Sequence, residues 1–216
     1  MLLSHKHQFL FVHIAKTGGT SVRDALSRFR WDARYGVPQF IVNKLSQLCG
    51  HKLGCRFPRH SKVIAAKEML PAEYFAGLYK FAFVRNPWDL QVSSYHHIKR
   101  ERPHLVAGFD DFDSFMRYKL DPERPYQYHI DTSMQLQTDY LTDLQGNLCM
   151  DFIAKYENLQ DDFNTICKQL NLPTATLPHK RKATDRQTYH RYYSDELAEL
   201  VDRHFQKDIN LLGYHY

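Results

Sequence analysis

One stretch near the start of the chain collects groups that bind anions: His13-Ile14-Ala15-Lys16-Thr17-Gly18-Gly19-Thr20-Ser21. Lys16 brings a cation, while Thr17, Thr20 and Ser21 bring hydroxyl donors. Gly18 and Gly19 let an anion approach the backbone. Between a strand and a helix, such a turn also presents free amides and the positive helix end, so its natural guest is a phosphate or a sulfate. It is not a Walker A loop, because Lys16 precedes the glycines instead of following them. The same residues also spell an ordinary Gly-Gly turn with a capping threonine, and on their own they leave both readings open.

A second constellation runs from Phe81 to Tyr95. Arg85 follows an apolar run, and Ser93 lies eight residues on, about two turns into a following helix. An arginine fork and a hydroxyl placed so could grip a second anionic group. Alternatively, Arg85 pairs with Asp89 and Ser93 faces solvent. Cys49, His51, Cys55 and His60 form a loose cluster, but the C-x5-C spacing fits no common structural zinc pattern. Reduced thiols in a loop are expected there, and no metal site is assigned.

Positioning these groups requires strands that end at Ile14 and Arg85. Phe9 to Ile14 is a short apolar run, and Val22, Ala25, Leu26 and Phe29 then recur at helical spacing from about Thr20. Phe81-Ala82-Phe83-Val84 is a second buried strand, followed by a helix to about Arg100 with Asn86 as cap, Pro87 at its first position and Asp89 in its first turn. Further helices are expected at 40–48, Val63–Leu70, from Pro71, Phe112–Lys119 and Leu159–Leu170, with a helix or helical turn over Ser133–Leu141 and a last helix capped by Ser194. Asp151–Tyr156 is a third strand, and 102–108, 121–128 and 173–186 read as loops. Alternating strands and helices predict an α/β fold: a P-loop-like, mainly parallel sheet flanked by helices, in one domain over 1–216.

Composition sets the outer bounds. With 216 residues, 43% hydrophobic and 25% charged, the chain can bury one sizeable core, which excludes disorder and collagen-like classes. A net charge of +5 favours anionic partners without choosing among them. Four cysteines do not make a disulfide framework. The apolar run before Lys16 is too short to span a membrane, and His13 interrupts it as a signal segment. The expectation is a soluble, cytoplasmic chain without a transmembrane segment. Bases and aromatics are scattered, so nucleic-acid binding is not expected.

Taken together, the two constellations resemble sulfotransferases that use 3′-phosphoadenosine 5′-phosphosulfate (PAPS), and most closely the carbohydrate-type branch called sulfotransferase family 2. Lys16-Thr17-Gly18-Gly19-Thr20-Ser21 looks like the 5′-phosphosulfate loop of that family, and Arg85 with Ser93 matches its 3′-phosphate motif. Arg59-His60, about twenty residues before Lys80, resembles its catalytic histidine segment. Lys155-Tyr156-Glu157-Asn158-Leu159 is similar to its later Glu-Asn-Leu segment. Ala15 stands where the family usually has proline, and Thr184 where it often has serine. Segments 31–58 and 101–131 have no counterpart that can be placed.

The resemblance implies transfer of a sulfuryl group from PAPS to an acceptor hydroxyl, carbohydrate in the first instance, without a required metal. Gly18 to Ser21 would hold the 5′-phosphate, Lys16 would neutralise the bridging oxygen, and Arg85 and Ser93 would select the 3′-phosphate. His60 would be the general base, with Glu68 as the alternative. Lys182 and Thr184 would close over the cofactor. Two rivals are a P-loop-like kinase, which would need magnesium carboxylates and a lysine after the glycines, and a non-catalytic anion- or glycan-binding module.

Overall fold

A computed structural model describes residues 1–30, 41, 45, 57–177 and 187–216. The apolar run Phe9–Val12 forms strand β2, and β1 (Leu2–Ser4) lies antiparallel beside it. On its other side β2 pairs in parallel with β3 (Tyr79–Val84), and β3 in parallel with β4 (Phe152–Lys155). The order among the described strands is therefore β1-β2-β3-β4. Phe11 stands opposite Phe81, and Phe83 opposite Ala154.

Strand side chains alternate between faces, and here both faces are buried. Phe9, Phe11, Phe81 and Phe83 point to one side, where they pack with Val22, Leu26, Phe163 and Ile166. Leu10, Val12, Ala82 and Val84 point to the other, against Val63, Ala66, Tyr140 and Leu141. The helices that cover the sheet are thereby named: α1 (Gly19–Leu26) on the first face, and α2 (Val63–Met69) on the second, followed by α3 (Ala72–Gly77).

After β3 the chain enters α4 (Pro87–Glu101), whose cap is as expected: the Asn86 side chain accepts from Trp88 N at 3.0 Å and Asp89 N at 3.4 Å. Then come α5 (Phe112–Leu120), α6 (Tyr128–Asp131), α7 (Thr138–Leu141), β4, and α8 (Leu159–Gln169). The last helix is α9 (Asp195–Leu212), where Ser194 Oγ accepts from Leu197 N. Trp88 and Val92 of α4, Phe115 and Met116 of α5, and Leu197, Val201 and Phe205 of α9 form a separate helical core.

Two elements were not expected: β1, whose apolar run Met1-Leu2-Leu3 is only three residues long and takes its place by pairing with β2, and α6, which forms at the end of an expected loop. Over Ser133–Leu141, where a helix or helical turn is expected, only the turn α7 is helical. The reason is a set of long-range partners: buried Asp208 of α9 accepts from Gln137 N and Thr138 N, both at 2.8 Å. Gln137 in turn clasps the backbone of Arg85, accepting its N–H at 2.9 Å and donating to its carbonyl at 2.8 Å. These bonds satisfy backbone that a helix would otherwise satisfy internally. Of the helix expected at 40–48, residues 41 and 45 are helical and the others lie outside the described residues. Among the described residues no helix is long and apolar enough to cross a membrane.

Candidate active site

The carboxyl ends of β2 and β3 deliver the two constellations side by side, where open α/β sheets bind ligands. The loop after β2 turns through two left-handed residues, Lys16 at φ 68° and Gly18 at φ 77°. Glycine adopts this conformation freely; lysine does so at a cost. Thr17 is fully buried and donates its hydroxyl to Ile14 O at 3.1 Å, so its side chain braces the turn from behind. Gly18 then begins α1, accepting from Ser21 N at 3.1 Å. The amides of Gly19 and Thr20, at the start of that helix, have no intrahelical acceptor and are suited to an anion.

The glycines answer to packing as well. A Cβ on Gly18 would press Leu159 and Tyr156 at 3.1 Å. A Cβ on Gly19 would overlap the ring of His13. The histidine just after β2 therefore determines why the second glycine must be one.

His13 is 3% exposed, and its Nδ1 is buried without a hydrogen-bond partner. Burial, aided by the neighbouring His60, pushes its pKa down to about 2, so it stays neutral. His60 lies against it, ring centroids 4.8 Å apart. His60 Nδ1 donates to His13 O at 3.0 Å. A carbonyl can only accept, so the hydrogen sits on Nδ1 and Nε2 carries the lone pair. Burial lowers the His60 pKa, and the positive Arg59 adds to this against the raising effect of the carbonyl contact.

Arg85 is 3% exposed. Its Nε donates to Asp89 Oδ2 at 2.6 Å and its Nη1 to Lys16 O at 2.9 Å, and the guanidinium lies 3.8 Å over the Tyr156 ring. Of the two readings the sequence left open, the Arg85–Asp89 pair is present, and the same arginine ties the two constellations together. Burial brings its pKa down to about 10, leaving it charged at neutral pH. Glu157 completes the junction: its carboxylate accepts from Asn86 N at 2.8 Å and Tyr214 Oη at 3.1 Å.

One cavity of about 1020 Å³ is lined by His13, Lys16, Gly18 to Ser21, His60, Arg85 and Ser93. Glu68, the alternative base, is exposed on α2 and is not among the residues that line that cavity. Lys182, Thr184, Cys49, His51 and Cys55 lie outside the described residues. Sequence reasoning named Asp89 as a partner for Arg85 in one of its two readings, but did not single out Tyr156 as the guanidinium's platform or Gln137 as its clasp. The i,i+4 spacing of Arg85 and Asp89 was the one signal available.

The chain belongs to the sulfotransferase family, whose sequence model matches residues 1–215. It is 32% identical over 99 residues to a protein of uncharacterised function from Archaeoglobus fulgidus, a match covering 46% of this chain and 72% of that one. It is also similar to the mouse sulfotransferase SULT7A1, solved in complex with PAP, with a TM-score of 0.46 and 16% identity over 96% of this chain and 86% of that chain.

Proposed function

We propose that this sulfotransferase moves the sulfuryl group of PAPS to an acceptor hydroxyl, releasing 3′,5′-ADP, and that the acceptor is a carbohydrate. The observation that carries this reading is the meeting of Lys16, the Gly18–Ser21 turn, His60, Arg85 and Ser93 around one cavity. The amides of Gly19 and Thr20, with the Thr20 and Ser21 hydroxyls, receive the 5′-phosphate. Lys16 sits at the lip of the same turn and neutralises charge on the bridging oxygen as the S–O bond breaks. His60 Nε2 takes the acceptor proton as the new O–S bond forms. Arg85 and Ser93 receive the 3′-phosphate, which separates PAPS from ordinary adenine nucleotides. The carbohydrate acceptor is supported by the sequence resemblance to the carbohydrate-type branch alone. The cytoplasmic placement, the lack of nucleic-acid partners and the roles of Lys182 and Thr184 over the cofactor belong to the same proposal.

Calorimetry with 3′,5′-ADP and 5′-AMP in EDTA tests the nucleotide half. The expected result is tight binding of 3′,5′-ADP and weak binding of 5′-AMP. Arg85→Ala should erase most of that difference, and Arg85→Lys should restore it only in part, since a point charge lacks the fork. Equal affinities in the wild type would overturn the 3′-phosphate assignment. A radiolabelled-sulfate transfer screen over sugars, lipids and small alcohols tests the acceptor.

A further inference from the structure

Behind the cavity wall lies a lysine that the reaction above does not use. Lys119, in the last turn of α5, is 1% exposed. Its ammonium donates to Gln91 Oε1 at 2.6 Å, Ser133 Oγ at 2.8 Å and Ser94 Oγ at 3.3 Å. All three acceptors are neutral. Ser133 Oγ donates onward to Ile130 O at 3.0 Å, so the 2.7 Å contact between the serine hydroxyls must be a donation from Ser94 to Ser133. Gln91 closes the network by donating to Ser133 O at 2.8 Å.

The charged groups that face Lys119 do not neutralise it. Asp131 of α6 attracts it, but both carboxylate oxygens are held by Arg124, at 2.5 and 3.1 Å. Arg124 and Lys16 repel it. The Phe115 ring lies 5.9 Å away. A buried cation held by neutral acceptors is costly, and an anion brought nearby would offset that cost. Burial already pulls the Lys119 pKa down to about 7.

Ser94 and Ser133 line the cavity, and Ser94 adjoins Ser93. Asp89 offsets the charge of Arg85 while a phosphate brings up to two negative charges, so a cation beneath Ser94 would add to Arg59, Arg100 and Arg102, which line the same cavity. We infer that Lys119 is the buried counter-charge for the nucleotide's 3′-phosphate, acting across the Ser94 and Ser133 hydroxyls that separate it from the cavity; this rests on the reading of Arg85 and Ser93 given above. Lys119 touches neither substrate nor reacting atoms. It is a specificity-determining and positioning residue, and it couples nucleotide binding to proton uptake.

The test is calorimetry with 3′,5′-ADP and 5′-AMP at about pH 6, 7 and 8.5, which span the folded-state value of about 7, the middle pH being run in two buffers of different ionisation enthalpy. Wild-type affinity for 3′,5′-ADP should fall as pH rises through about 7, because the neutral amine offers the phosphate no charge. Binding at the middle pH should take up protons. Lys119→Met should bind 3′,5′-ADP about tenfold more weakly at the lowest pH, equivalent to one pKa unit of coupling. It should lose the proton uptake and leave 5′-AMP affinity unchanged. The nucleotide's own titration is common to both proteins and drops out of the comparison. A folded Lys119→Met protein with wild-type affinity and uptake would overturn the inference. If that variant does not fold, Ser94→Ala carries the test: weaker 3′,5′-ADP binding with reduced uptake is expected, and unchanged binding overturns the inference. If Arg85→Ala abolishes the preference for 3′,5′-ADP while Lys119→Met binds normally, the Lys119 role alone fails. If the wild type shows no such preference, the 3′-phosphate subsite fails and Lys119 loses its role with it.

Discussion

His60 owes its usefulness to a backbone carbonyl. The contact with His13 O places the hydrogen on Nδ1 and leaves Nε2 as acceptor. Because burial lowers its pKa, the imidazole is neutral at pH 7 and loses its basicity only below the ordinary value of 6.5. Transfer should therefore be flat near neutrality and decline on the acid side. His60→Ala should reduce the rate by roughly 10²–10⁴-fold while leaving 3′,5′-ADP affinity almost unchanged. Lys16→Ala should damage both, since Lys16 meets the nucleotide itself. A folded His60→Ala protein that keeps more than about a tenth of the wild-type rate would place the base elsewhere.

At the scale of elements, the anion loop is shaped as much by what lies behind it as by what it binds. His13 directly follows β2, and α1 starts so close to it that only hydrogen fits on Gly19. Gly19→Ala must displace the His13 ring, and His60 leans on that residue. Overpacking of this kind costs about 1–3 kcal/mol. The variant should melt lower and transfer more slowly, with the rate loss exceeding what the fraction unfolded explains. Gly108→Ala, where an added Cβ meets nothing within 4 Å, provides the control and should change neither. Thermal melts and initial rates on the two variants decide it; equal behaviour would show that the helix start has room to shift.

For the whole molecule, the lysine behind the cavity makes stability depend on pH in a defined window. Its pKa in the folded protein, about 7, lies below its ordinary 10.5. Between those values the unfolded chain binds more protons than the native one, so stability rises with pH there. The slope from this group is at most about 1.4 kcal/mol per pH unit. Lys119→Met should remove that component. Urea unfolding of both proteins at several pH values across the window measures it, and a wild-type–variant difference that does not change with pH would contradict the buried charge. Nucleotide affinity should fall at the lower end of that window, just above pH 7, so there binding and stability should trend oppositely.

Local rules made much of this protein legible. The runs Phe9–Val12 and Phe81–Val84 read as buried strands because parallel strands covered on both faces are apolar throughout. Asn86-Pro87 and Ser194 marked helix starts because cap chemistry acts within one turn. Lys16 to Ser21 and Arg85 were visible as anion-binding types for the same reason: the groups lie close in sequence. What depended on distant partners was not legible. β1 exists through its pairing with β2. Asp208, remote in sequence, takes the amides of Gln137 and Thr138, and the Gln137 side chain holds the backbone of Arg85, so the segment before Thr138 is not helical. Whether Arg85 pairs with Asp89 was decided by burying the guanidinium over Tyr156. His60 was the base that the resemblance implied and Glu68 its alternative; folding places His60 on the cavity wall and leaves Glu68 exposed outside it. Lys119 read as an ordinary lysine at a helix end, and the convergence of α4, α5 and α6 buried it. Local propensity acts over a few bonds, whereas burial, counter-charge and cavity shape arise where distant segments meet.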